Sequence, residues 1–115
     1  VKCVRYCAAP LLLMLIMHAP SSYADSGWLA AAPLQGLSVS NKGRYTIEME
    51  VEKNISGCRN PRLFYIDFEA IGAEQAYQLL LRSMLAERAV QLYVTGRCAL
   101  KGVAEVSAVR LPAKP

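Results

Sequence analysis

Residues 44–53 alternate with a strict period of two: Ile47, Met49 and Val51 lie on one side, and Glu48, Glu50 and Glu52 on the other. A helix would scatter those two sets around its circumference, whereas a strand sends them to opposite faces. Such a strand needs a core on one side and water on the other, so it requires neighbours patterned alike. The chain supplies them. Leu37 and Val39 alternate with Ser38 and Ser40 as a short first strand, ahead of turn residues Asn41-Lys42-Gly43. Residues 63–69 place Phe64, Ile66 and Phe68 on one face and Tyr65, Asp67 and Glu69 on the other. Residues 89–98 oppose Val90, Leu92 and Val94 to Gln91, Tyr93 and Thr95, with Cys98 in the apolar phase. In residues 103–111, Val106 is out of phase with Val109 and Leu111, which a bulge between Val106 and Val109 would reconcile.

One segment changes period. Over residues 73–88, Ala73, Ala76, Tyr77, Leu80, Leu81 and Met84 share one helical arc, with Glu74, Gln75, Gln78 and Arg82 opposite. Glu74 opens the segment and Arg88 closes it, the favourable polarity for the helix dipole. Leu79 and Leu85 flank the arc on opposite sides and extend the apolar surface beyond one buried stripe, which points to self-association. The expected fold is therefore mainly β: a five-stranded OB-fold-like barrel with one α-helix between strands 3 and 4. Phe68 and Leu80 are its expected core residues.

The first 24 residues read differently. Lys2 and Arg5 precede an unbroken apolar run over residues 11–17, Pro20 breaks it, and Ser22-Tyr23-Ala24 offers small residues for cleavage. That is the layout of a secretory signal peptide, too short to span a membrane. Cys7 lacks a lipoprotein context, so no membrane anchor is expected, and the initial Val fits an alternative bacterial start codon. The expected organisation is a signal peptide at 1–24 and a single domain at 25–115, secreted or periplasmic.

Cleavage after Ala24 removes Lys2 and Arg5 from thirteen bases, leaving eleven against nine acids. A net charge of +2, mixed along the chain, is no nucleic-acid funnel. His18 also departs, and with it every His-based nucleophile, general base or metal site. Cys58 and Cys98 remain, and two cysteines in an exported chain most simply form a disulfide. Closing a loop of about 40 residues stabilises a fold by roughly 4 kcal/mol in the chain-entropy model. No metal, no cofactor and no enzymatic activity are expected.

Three groups of side chains invite a functional reading. The Glu48, Glu50 and Glu52 stripe reads as a solvated face rather than a cation site, because hard cations gather oxygen ligands from loops. Asp67 and Glu69 stand about 6–7 Å apart in a strand, a glycosidase-like spacing, but no apolar pocket accompanies them to raise one pKa. Tyr65, Tyr93 and Trp28 lie off the main apolar phases and could stack on a sugar ring, as aromatic platforms of OB-folds do. Asn54-Ile55-Ser56 matches a glycosylation sequon, accidental in a bacterial chain.

Several stretches together resemble one family. They are Gly57-Cys58 before Leu63-Phe64-Tyr65-Ile66-Asp67-Phe68, the helix around Gln75-Ala76-Tyr77-Gln78-Leu79-Leu80-Leu81, Ala89-Val90-Gln91-Leu92-Tyr93-Val94 with Gly96-Arg97-Cys98, and Glu105-Val106-Ser107-Ala108-Val109. Over residues 34 to 111 the chain is similar to small exported bacterial proteins related to the B subunits of pertussis-like and subtilase-type AB5 toxins. The resemblance implies glycan binding by a ring of five subunits. The toxin branch holds sialic acid with a serine just before a glycine on the first strand. Here Gln35 precedes Gly36, which counts against sialic acid. The binding residues expected on this basis and from the aromatic pattern are Gln35, Tyr65 and Tyr93. The partner is a cell-surface glycan, or else a protein, the chain then being an orphan periplasmic interaction protein.

Overall fold

The structure, a computed structural model, describes residues 25–114, and the expected signal segment at 1–24 lies outside them. It is mainly β with one helix: β1 (Gly27–Trp28), β2 (Ala32–Ser40), β3 (Arg44–Met49), β4 (Leu63–Asp67), α1 (Ala73–Leu85), β5 (Ala89–Ala99) and β6 (Val103–Arg110). The strands number six rather than five, and the helix falls between the fourth and fifth strands rather than the third and fourth. The added strand is β1, which two residues cannot announce through any periodicity.

Hydrogen bonding runs β5-β2-β3-β4-β6 and returns from β6 to β5, closing the sheet into a ring. All neighbours are antiparallel except β4 and β6, which run parallel at Phe64↔Ala104 and Tyr65↔Glu105. β1 and the start of β2 both lie along β5. Gly27 and Trp28 face Val94 and Tyr93, Ala32 and Pro33 face Val90 and Ala89, and one extra residue bends the chain between them. The Leu29 amide still donates to the Leu92 carbonyl across the bend. The first strand of the ring therefore begins at Ala32, five residues before the Leu37 expected from alternation.

Alternation located the core well. Ile47, Met49, Phe64, Leu80, Val90, Leu92, Val94 and Val106 are buried together, and Leu29 and Leu34, from the stretch without an evident period, join them. Each such apolar side chain contributes roughly 1.5–3 kcal/mol by leaving water. The bulge in β6 is where phase required it: Val106 faces Val94 and Ala108 faces Tyr93, so Ser107 is the extra residue.

Other expectations change. β3 stops at Met49, because β4 starts at Leu63 and its last partner is Glu48; beyond that point the Met49 amide donates to Arg62 O and residues 50–62 form a loop. β4 stops at Asp67, so Phe68 leaves the sheet and is 41% exposed instead of buried. It rests against Tyr45, 4.7 Å between ring centroids, and Tyr45 in turn stacks on Tyr77 of α1. α1 ends at Leu85, not residue 88, since Glu87 adopts φ 53; the Glu87 and Arg88 amides return to Met84 O and Ser83 O. That is the Schellman arrangement, with a glutamate where glycine is usual.

Cys58 and Cys98 form a disulfide with their Cα atoms 5.6 Å apart. Cys98 does not point inward. The β5–β6 register shifts between Val94 and Cys98, with Gly96 at φ 89, and this re-phases the end of β5 so that Cys98 is exposed.

Candidate functional site

The outward side chains of β5 are Gln91, Tyr93 and Thr95, and pairing with β1 and β6 gives them their partners. Trp28 stands directly opposite Tyr93, and the two rings meet edge to face at 5.3 Å between centroids. Arg110 pairs with Gln91 on the other side. Its Nε donates to Gln91 Oε1 (2.9 Å), and its guanidinium carbon lies 4.1 Å from the centroid of the Trp28 ring. Gln91 Nε2 donates to the Leu29 carbonyl (3.2 Å), at the bend that follows Trp28. The indole is thus clamped by a ring edge and a planar cation, yet it remains 38% exposed. A rigid, partly open indole beside an amide and a guanidinium offers an apolar ring face together with hydrogen-bond donors, the chemistry that a sugar ring uses.

A polar row continues from there across the ring. Thr95 Oγ1 donates to Glu105 Oε1 (2.8 Å), and Arg97 Nε lies 3.7 Å from the same oxygen. Glu105 faces Tyr65 on β4, Tyr65 faces Thr46 on β3, and Arg44 sits over the Tyr65 ring at 5.9 Å. Arg44 Nε is 3.6 Å from Asp67 Oδ1, an ion-pair distance that makes no hydrogen bond.

Tyr65 occupies the outward phase, as its alternation with Phe64 and Ile66 requires, but it is only 6% exposed because these long side chains cover it. Burial raises its phenol pKa above the ordinary value, and the Glu105 and Asp67 carboxylates add to the rise, while Arg97 and Arg44 oppose it. The protonated phenol is therefore favoured in the fold. Its contribution to stability is intact below the unfolded pKa, roughly 10, and is lost as pH climbs through and above it. In an alkaline absorbance titration one phenol should ionise later than an ordinary tyrosine, and Tyr65→Phe should remove that late step. A late step that survives the substitution would contradict this assignment.

The expected binding residues do not converge on one spot. Tyr93 belongs to the Trp28 clamp, while Tyr65 is separated from it by the Thr95–Glu105 pair. Gln35 is exposed on β2, where its Oε1 accepts from Arg62 Nη2 (2.9 Å), itself 3.8 Å from Glu48. Sequence reasoning missed Arg110 and Gln91. The alternation of β5 did place Gln91 on the Tyr93 face, but only the register of β6 brings Arg110 over the indole. The acidic stripe ends with the strand, since Glu50 and Glu52 belong to the loop after β3.

A hollow of about 660 Å³ shares no lining residue with the clamp; Ala31, Glu87, Arg88, Ala89, Pro112 and Lys114 border it, and Arg88 there already donates to the Pro112 carbonyl. Its walls mix small apolar residues with Glu87, Arg88 and Lys114, charges of both signs that single out no ligand. Among the described residues, no group of three His, Cys, Asp or Glu side chains could hold a metal ion, and no helix is long and apolar enough to cross a membrane. Comparison with protein-family models, curated proteins and solved structures finds no match, so no relative links the chain to the toxin B subunits.

Proposed function

We propose that this protein is an exported, non-enzymatic binding module of the OB-fold kind that takes a carbohydrate on the outer face of β1, β5 and β6. The ring order, the parallel contact between β4 and β6, and the single helix leading into β5 support that fold. The disulfide in so small a domain is consistent with an extracellular or periplasmic location. The observation that carries the binding reading is the Trp28–Tyr93 pair, held by Arg110 and Gln91 with part of the indole open to solvent.

Screening the exported protein on a glycan array tests this. Trp28→Ala should weaken binding to any sugar retained by about ten-fold or more, the effect of losing one stacking face worth roughly 1–3 kcal/mol. Unchanged binding by that variant, or an array with no retained sugar, counts against the carbohydrate reading.

A second reading, a protein partner or self-association, is favoured by apolar residues at both ends of α1. Ile71 is fully exposed just before it and Leu85 is 77% exposed at its last turn, while Leu79 is half-buried beside β6. Self-association would place such residues between subunits, as a pentamer if the toxin resemblance extends so far. Light scattering that returns a monomer near 10 kDa would remove the oligomer and leave a different protein as the partner.

A further inference from the structure

β1 is two residues long, and one of them is Trp28, so the binding face depends on whatever keeps β1 against β5. Two ladder positions, Gly27↔Val94 and Trp28↔Tyr93, are too few to hold a strand unaided. Trp28 adds its contacts with Tyr93 and Arg110, and the Gly27 end is held by the loop at 50–62. The Asp25 amide nitrogen donates to the Ile55 carbonyl (3.0 Å). The Ile55 side chain lies so close over Gly27 that a Cβ there would stand 3.1 Å from Ile55 Cδ1. Ile55 is thus the lid over β1.

The loop that carries Ile55 contains no strand or helix and is organised by short-range bonds. Ser56 N–H donates to Asn54 Oδ1, Asn54 Nδ2 donates to Pro61 O, Cys58 N–H donates to Ser56 Oγ, and Arg62 N–H donates to Asn60 Oδ1. Its non-covalent ties to the ring gather at its far end, where Asn60 N–H donates to Gly102 O (2.9 Å), Met49 N–H donates to Arg62 O, and Arg62 reaches Gln35 and Glu48. Val51, Ile55 and Cys58 pack against the core, Ser56 is buried, and the Cys58–Cys98 disulfide, three residues from Ile55, joins the loop covalently to β5. No ladder of the closed ring uses a residue of 50–62. Cys98 is the more exposed residue of the pair, Cys58 being half-buried, so an incoming thiolate has its easier approach from the Cys98 side.

We infer that the Cys58–Cys98 disulfide is a redox switch acting on the Trp28 face through Ile55. Oxidised, it holds the loop down, Ile55 over Gly27, and β1 on β5. A dithiol reductant attacks at Cys98 and expels the Cys58 thiolate, and its second thiol resolves the mixed disulfide. Two protein thiols form as the reductant becomes a disulfide, a balanced transfer of two electrons and two protons. The loop then loses its covalent tie, Ile55 lifts, and β1 swings out about Leu29, which stays buried and bonded to Leu92. The ring from β2 to β6 remains closed. The functional weight of the switch rests on the reading of Trp28 as part of the binding face; the movement itself does not depend on any ligand.

Trp28 is the only tryptophan in the chain, so its fluorescence reports this movement alone. The exported protein is compared oxidised, reduced with dithiothreitol, and as the Cys58→Ser/Cys98→Ser variant, with far-UV circular dichroism recorded on each. Reduction should red-shift the emission and raise acrylamide quenching roughly two-fold, as local opening exposes the indole, with the dichroism spectrum unchanged and the effect reversed on reoxidation. Ile55→Ala should raise quenching in the oxidised protein, with the disulfide intact. Emission and quenching indifferent to reduction would overturn the switch. So would loss of the dichroism signal together with the fluorescence change, which would make the bond a staple of the whole domain. No sugar enters the measurement, so its failure is separate from failure of the carbohydrate reading.

Discussion

Leu80→Ala should lower the unfolding free energy by about 2–5 kcal/mol, and Phe68→Ala by roughly 1 kcal/mol, although both residues fall on the apolar phase of their segments. Leu80 has no exposed surface and sits at the middle of the one helix, where it joins the core that contains Ile47, Phe64 and Leu92. Truncation there loses the transfer energy of three carbons and leaves a cavity that neighbours on a closed ring cannot easily fill. Phe68 lies past the last residue of β4. Its amide is held by Gly43 O, and its ring touches Tyr45 from the solvent side. Removing it forfeits an aromatic contact and opens no cavity. Urea melts of the two variants at equal m-value decide the matter. Equal losses would mean that Phe68 belongs to the core after all, and that β4 continues beyond Asp67.

The contrast between these residues shows what alternation can and cannot reveal. Period two identifies a face only while the strand lasts, and nothing in Leu63-Phe64-Tyr65-Ile66-Asp67-Phe68 marks the residue at which β4 parts from its neighbours. The same limit explains Cys98, whose phase was correct up to Val94 and was then reset at Gly96. Where partners on both sides persist, as for Ile47, Phe64, Val90 and Leu92, the pattern and the burial agree. Tyr65 fails for another reason. Its face is outward, but burial on that face depends on the lengths of Arg44, Glu105 and their neighbours, which lie far away in sequence.

The candidate site was legible only in part, because it is made by register. Tyr93 and Trp28 were recognisable as aromatics off the apolar phase, and the disulfide followed from counting cysteines. The clamp needed Trp28 opposite Tyr93 and Arg110 opposite Gln91, pairings that bring β1 and β6 to either side of β5. No local pattern encodes them. A two-residue strand adds to the difficulty, since the contacts that hold it, Trp28 on Tyr93 and Arg110, Ile55 over Gly27 and the Asp25–Ile55 bond, are long-range.

Gly102→Ala should cost about 2–4 kcal/mol from backbone strain and overpacking together. The β5–β6 connection turns through three consecutive positive φ values: Leu100 at 51, Lys101 at 67 and Gly102 at 106. Leu100 and Lys101 already occupy a region that costs an L-residue roughly 1–2 kcal/mol each, so the turn has little tolerance for a third strained residue. Space is lacking as well. A Cβ on Gly102 would stand 2.5 Å from Arg59 Cβ and 3.1 Å from the Arg59 backbone nitrogen, and backbone cannot rotate away as a side-chain tip can. Either the hairpin or the loop at 50–62 must withdraw, and the Asn60–Gly102 hydrogen bond breaks in both cases. Gly43→Ala is the matched control, because Gly43 also has a positive φ, 88, but open space around its missing Cβ. The control should cost only the strain, roughly 1–2 kcal/mol, and the difference between the two melts measures how tightly loop and hairpin are pressed together. Equal costs would show that the loop yields freely at Arg59, and the contact could then contribute nothing to holding Ile55 over β1.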